Sequence, residues 1–146
     1  MLYIFWLYAT DRISDMDMSD RAERAAVFGS FTIFYLVGSI VLAALHAPVP
    51  LVATMAGYTT SMALVQFITR FWKISTHALG ITGPLVALVY MYGARPLPFV
   101  VVIPLVCWAR VYLRAHTAAQ VIAGAALAAT TVAAFFRLFG VQVSTQ

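Results

Sequence analysis

The sequence predicts an all-α protein, a polytopic transmembrane helix bundle of about five spans behind a short N-terminal interfacial segment. Three observations carry that expectation. Of the 146 residues, 63% are hydrophobic and only 10% are charged, whereas a soluble domain has about 25% charged residues. The high mean hydropathy of +0.92 is gathered into apolar runs cut by short polar or proline-bearing turns. The charges sit at the ends of those runs, mostly on one side of the expected bundle. The chain reads as one transmembrane domain over 1–146, with 1–24 as interfacial segment and polar loop and 25–140 as the helix bundle.

Met1–Thr10 is apolar and aromatic but too short to cross a bilayer, which takes about 20 residues. Its Tyr and Trp content suits an anchor at the membrane surface or the tail of a shortened helix. It lacks the basic start and small-residue cleavage site of a cleaved signal peptide. Asp11–Arg24 follows and holds all five acidic residues of the chain. Asp20 with Glu23 has capping-box spacing at the start of the first span. The alternative use of Asp11, Asp15, Asp17 and Asp20 is to hold Mg²⁺ against a pyrophosphate.

The five spans are expected at 25–45, 51–71, 76–92, 97–111 and 117–136. Pro48 and Pro50 break the chain after the first. Arg70, Trp72 and Lys73 close the second. Gly80, Gly83 and Pro84 allow a bend in the third, and Gly93 with Pro96 turns into the fourth, which carries Pro104. The fifth is rich in alanine, and its Gly124 and Ala128 have the spacing that lets helix backbones approach closely in lipid. The single Cys107 lies inside an apolar run and offers neither a disulfide nor a cysteine metal site.

Alternating spans put Arg12, Arg21, Arg24, Arg70, Lys73, Arg110 and Arg114 on one face, leaving only Arg95 and Arg137 opposite. His77 and His116 join the crowded face. The positive-inside rule makes that face cytoplasmic, and the expected location is a prokaryotic cell membrane. The net charge of +4 serves topology and headgroup contact, with no call for nucleic acid as a partner.

Ionisable groups at a bilayer edge are costly and mark a functional site. In 73–77, Lys73, Ser75 and His77 recur every second residue, so an extended approach to the third span would put them on one side. An ammonium, a hydroxyl and the amides of a helix start make an anion pocket; the simpler use of Ser75 or Thr76 is to cap the helix. In the next loop on this face, Arg110 and Arg114 are one helical turn apart if the fourth helix continues that far, and His116 and Gln120 are likewise spaced at the start of the fifth. The Gln120 amide is placed to fix the His116 tautomer.

These segments resemble the second and third signatures of the type 2 phosphatidic acid phosphatase superfamily, the membrane lipid phosphatases and their haloperoxidase relatives. The signatures read PSGH and SRxxxxxHxxxD. Here the first is Ile74-Ser75-Thr76-His77, and the second is Ala109-Arg110, five residues, His116, three residues and Gln120. The resemblance covers 70–140. It implies hydrolysis of a lipid phosphate or pyrophosphate through a phosphohistidine, without cofactor or metal. His116 would be the nucleophile and His77 the general acid. Arg110 and Ser75 would hold the phosphate, joined by Lys73 or Arg114, with Arg21 and Arg24 standing in for the first signature, KxxxxxxRP, which has no counterpart upstream of Lys73. Gln120 stands where the family has an aspartate that orients the nucleophile, and Ala109 stands for the signature serine. The alternative is a catalytically inactive relative that binds lipid, or packs as a homo-oligomer or as a subunit of a larger membrane complex. Axial ligation of haem or chlorophyll by His77 or His116 fits less well, because neither histidine is at mid-span.

Overall fold

The computed structural model describes residues 2–14 and 21–145, with the side chains of 21, 22, 25 and 26 excepted. They form six α-helices and one 3-10 turn, with no strand among the described residues. The helices are α1 (Leu2–Ala9), α2 (Arg21–Ala44), α3 (Val49–Thr69), α4 (Thr76–Tyr92), α5 (Val102–Tyr112) and α6 (Ala118–Leu138), with the 3-10 turn Leu97–Val101 leading into α5.

Three helices are long and apolar enough to cross a membrane: α2 from Val27 to Ala44, α3 and α6. The other two expected spans are shorter. α4 has 17 residues, and the fourth span is divided into a five-residue 3-10 turn and an 11-residue helix. Proline explains the division. Pro98 lies in the first turn of the 3-10 segment and Pro104 in the first turn of α5, where a missing N–H is tolerated.

Helix ends fall where side chains satisfy orphan backbone groups. Pro48 precedes α3 and Pro50 lies in its first turn. The Ser75 hydroxyl accepts from the Ala78 N–H and caps α4. Thr117 caps α6 in a full capping box with Gln120. α5 ends with Arg114 in the left-handed region, φ 53°. There the Ala115 N–H donates to the Arg110 carbonyl and the Arg114 N–H to that of Val111, the Schellman pattern.

α2 lies against α3, α3 and α4 lie against α6, and α5 leans on α4 and α6. Small residues let these helices approach, as lipid-embedded packing demands. A Cβ on Gly57 of α3 would lie 3.2 Å from the Val132 backbone of α6. One turn on, Ser61 and Thr131 share a buried 2.6 Å hydrogen bond. Gly124 has a more specific duty than alanine-rich packing: a Cβ there would run into the Ser75 carbonyl oxygen.

α1 is more than a surface anchor. Leu7 and Ile13 are buried with Val27 and Phe28 in one core cluster. The Tyr3 hydroxyl donates to Ser30 at 3.1 Å, and its ring meets Phe31 and Phe34 edge-on.

Candidate functional site

Three chain breaks converge at one end of the bundle: the start of α2, the α3–α4 loop and the α5–α6 loop. Between them opens a cavity of about 590 Å³, lined at its polar end by Arg24, Thr76, His77, Arg110 and His116. Four of the sequence-expected site residues therefore share one chamber.

The Schellman end of α5 ties two of them together through the backbone. The Arg110 carbonyl accepts from the N–H of His116 as well as that of Ala115. The R-x5-H spacing is thus the length of one helix termination, which returns the histidine to the arginine's own turn.

His116 is 6% exposed. Its Nδ1 lies 3.1 Å from Gln120 Oε1, and that oxygen also accepts from the Thr117 N–H at 3.1 Å. An amide oxygen only accepts, so Nδ1 must carry the proton, which leaves Nε2 with a lone pair. Burial pulls the His116 pKa from 6.5 down to about 4; the Gln120 hydrogen bond opposes this, and the charges of Lys73, Arg24 and Arg110 add to it. At neutral pH the ring is an uncharged base in a cationic surrounding.

Arg24 is 2% exposed, and its guanidinium carbon lies 5.5 Å from the centroid of the Phe28 ring, one turn along α2. It lines the cavity from α2, as Arg110 does from α5. Guanidinium forks from two helices suit a tetrahedral oxyanion.

Other expected residues lie elsewhere. Ser75 is fully buried because its hydroxyl caps α4 and its N–H donates to the Gln120 carbonyl at 3.2 Å. It positions the loop and does not line the chamber. The alternation of Lys73, Ser75 and His77 is broken by the helix start at Thr76, which swings exposed His77 to the cavity while Ser75 packs on α6. Lys73 stays close enough for its charge to act on His116. Arg114 does not continue the face of Arg110: α5 has ended, and the left-handed turn leaves Arg114 exposed.

The Arg21 side chain and Asp15, Asp17 and Asp20 lie outside the described residues. Asp11 is exposed. Glu23 accepts from the N–H and hydroxyl of Ser14 and secures the loop after α1. Among the described residues no three acidic, histidine or cysteine side chains group as metal ligands.

The apolar part of the chamber escaped the sequence reading. Phe28, Phe31 and Tyr35 of α2, Tyr58 and Met62 of α3, and Ile81 of α4 form its walls. Arg24, Phe28, Phe31 and Tyr35 recur at helical spacing, and that stripe was the available signal. In a membrane helix apolar on every side, it is hidden.

Compared with models of protein families, with curated proteins and with solved structures, the chain matches none.

Proposed function

We propose that the protein is a lipid phosphate phosphatase of the membrane, with His116 as nucleophile. The observation that carries this reading is the state of His116: neutral, with Nδ1 committed to Gln120 and Nε2 available, in the same chamber as two guanidiniums and a second imidazole. The Nε2 lone pair attacks phosphorus and forms a P–N bond. The ester or anhydride P–O bond breaks, and the leaving oxygen takes a proton from His77. Water, deprotonated by His77, then attacks the phosphohistidine; phosphate departs, and Nε2 recovers its lone pair. Arg24 and Arg110 hold the equatorial oxygens, where positioned positive charge lowers the barrier. Lys73 strengthens the field from the rim.

The apolar chamber wall supports a lipid as the carrier of the phosphate. In the bilayer, α4 and the Leu97–Tyr112 segment complete five crossings with the three long helices. Each of the two reaches about 26 Å, close to the roughly 30 Å hydrocarbon core. The charged face is cytoplasmic by its excess of cations, in a prokaryotic cell membrane.

Gln120 favours a second reading. It orients the ring as an aspartate would but supplies no negative charge to the phosphohistidine, so the alternative is an inactive relative that binds the lipid phosphate or serves as a complex subunit. Reconstituted protein should release phosphate from phosphatidate or a prenyl pyrophosphate, be inhibited by vanadate, and lose at least 10²-fold in His116→Ala. Binding of the lipid phosphate without release selects the inactive relative; release unchanged in His116→Ala removes His116 from the chemistry.

A further inference from the structure

Opposite the cationic end, the chamber is closed by two stacked rings. Tyr35 of α2 and Tyr58 of α3 have centroids 5.3 Å apart and planes 19° apart, and both line the cavity. Tyr58 also presses on α4: a Cβ on Gly83 would lie 2.7 Å from its hydroxyl oxygen. One ring therefore bridges three helices. Beyond it α2 and α3 close directly, with Ser39 and Thr59 hydroxyls 3.5 Å apart and Met55 sulfur 3.9 Å from where a Cβ on Gly38 would be.

Between the two ends, the chamber follows the stripe Arg24, Phe28, Phe31 and Tyr35. A helix rises about 1.5 Å per residue, so Arg24 and Tyr35 stand about 17 Å apart along α2. The opposite wall opens at Gly80, which is exposed, lines the cavity, and would hold a Cβ in open space. The result is a groove of about 590 Å³ with a cationic head and an aromatic end.

We propose that this groove binds the tail of a single-chain lipid phosphate and that Tyr58, wedged between Tyr35 and Gly83, determines how much of the chain the protein encloses. The proposal rests on the reading of the polar end as a phosphate site. A chain with its phosphate between Arg24 and Arg110 runs along Phe28 and Phe31 and ends against the Tyr35–Tyr58 pair. About 17 Å of tail reaches the pair, and a longer tail, stopped there, must leave the groove by its side opening at Gly80, nearer the cationic end. Tyr58 is a specificity-determining residue, distant from the reacting atoms.

The test uses alkyl phosphates of increasing length, each with a photoreactive diazirine at its terminal carbon, and the full-length protein in bilayer nanodiscs. In the wild type, chains up to about 17 Å long should label Phe31, Tyr35, Tyr58 or Met62, and longer chains should label these residues about tenfold less. Tyr58→Ala should move that crossover to longer chains, and Tyr58→Phe, which keeps the ring, should leave it in place. A crossover unmoved in Tyr58→Ala overturns the proposal, as does equal labelling by the corresponding uncharged alcohols. If Tyr58→Ala does not fold, Gly80→Leu replaces it. That side chain enters open space and narrows the groove, so labelling should fall several-fold, and unchanged labelling overturns the proposal. Groove labelling without phosphate release from any of these lipids defeats the phosphatase reading and leaves the tail groove standing.

Discussion

The two sides of the chamber are built differently. The α4–α6 side is joined through backbone: the Ser75 N–H donates to the Gln120 carbonyl, Gly124 admits the Ser75 carbonyl, and hydroxyl or amide caps finish both helix starts. The other side, formed by α2 and α5, meets the chamber through long side chains. No residue of α5 is fully buried, and Arg24 and Arg110 reach inward from separate helices. The difference divides the labour of the site. The His116 imidazole is tied to a capped helix start, and the guanidiniums reach in on long side chains from α2 and α5. For the proposed nucleophile, such support is what positioning requires.

The strongest way to break this contrast is at Gly124. Gly124→Val puts a branched side chain into the Ser75 carbonyl oxygen, which is backbone and cannot swing aside. The expected loss is about 3 kcal/mol or more of stability, read as a fall in unfolding temperature in detergent, together with loss of any turnover. Gly80→Val, at the chamber mouth on α4, meets nothing within 4 Å and should cost little stability. Equal losses in the two variants would mean that the α4–α6 junction does not depend on that backbone contact.

Gln120 sharpens the contrast next. Gln120→Leu removes the shared acceptor for Nδ1 and for the Thr117 N–H, so it frees the ring and weakens the cap by about 1 kcal/mol. Turnover should fall about 10²-fold through misplacement of Nε2, far out of proportion to the change in stability. Gln120→Glu keeps the box and adds the negative charge that the imidazole lacks. It should retain or raise turnover and raise the His116 pKa, measurable by NMR titration.

The smallest effect concerns pH. The folded His116 pKa of about 4 lies below the ordinary 6.5, so the unfolded chain binds the proton first as pH falls. Above 6.5 His116 contributes no pH dependence. Between 6.5 and 4 its burial as a neutral ring costs the folded state increasing stability. Unfolding temperature should therefore fall less between pH 7 and pH 5 in His116→Asn than in the wild type. Equal slopes would mean the ring is not buried in its neutral form.

The backbone-joined side was more legible in the sequence than the side built of long side chains. His116 and Gln120, one turn apart, proved to share a hydrogen bond, while the Thr117–Gln120 capping box went unread. Ser75 before an apolar run was visible as a helix cap. Arg114 misled, because nothing in a run of helix-compatible residues announces that α5 stops at Tyr112 in a left-handed turn carried by an arginine. The fourth apolar run similarly concealed its 3-10 start, although Pro98 and Pro104 marked where the backbone lacks donors. The groove was hidden for a general reason. When every face of a helix is apolar, hydrophobic periodicity no longer separates the face toward a cavity from the face toward lipid.

In the proposed reaction His116 Nε2 attacks phosphorus while Gln120 holds Nδ1. The most direct measurement is an alkaline quench during turnover of a lipid phosphate, followed by mass-spectrometric mapping of the phosphorylated residue. An acid-labile, alkali-stable phosphate should appear on His116, be absent from His116→Ala and be reduced in Gln120→Leu. Phosphate on His77, or turnover with no phosphorylated histidine at any time point, would contradict it.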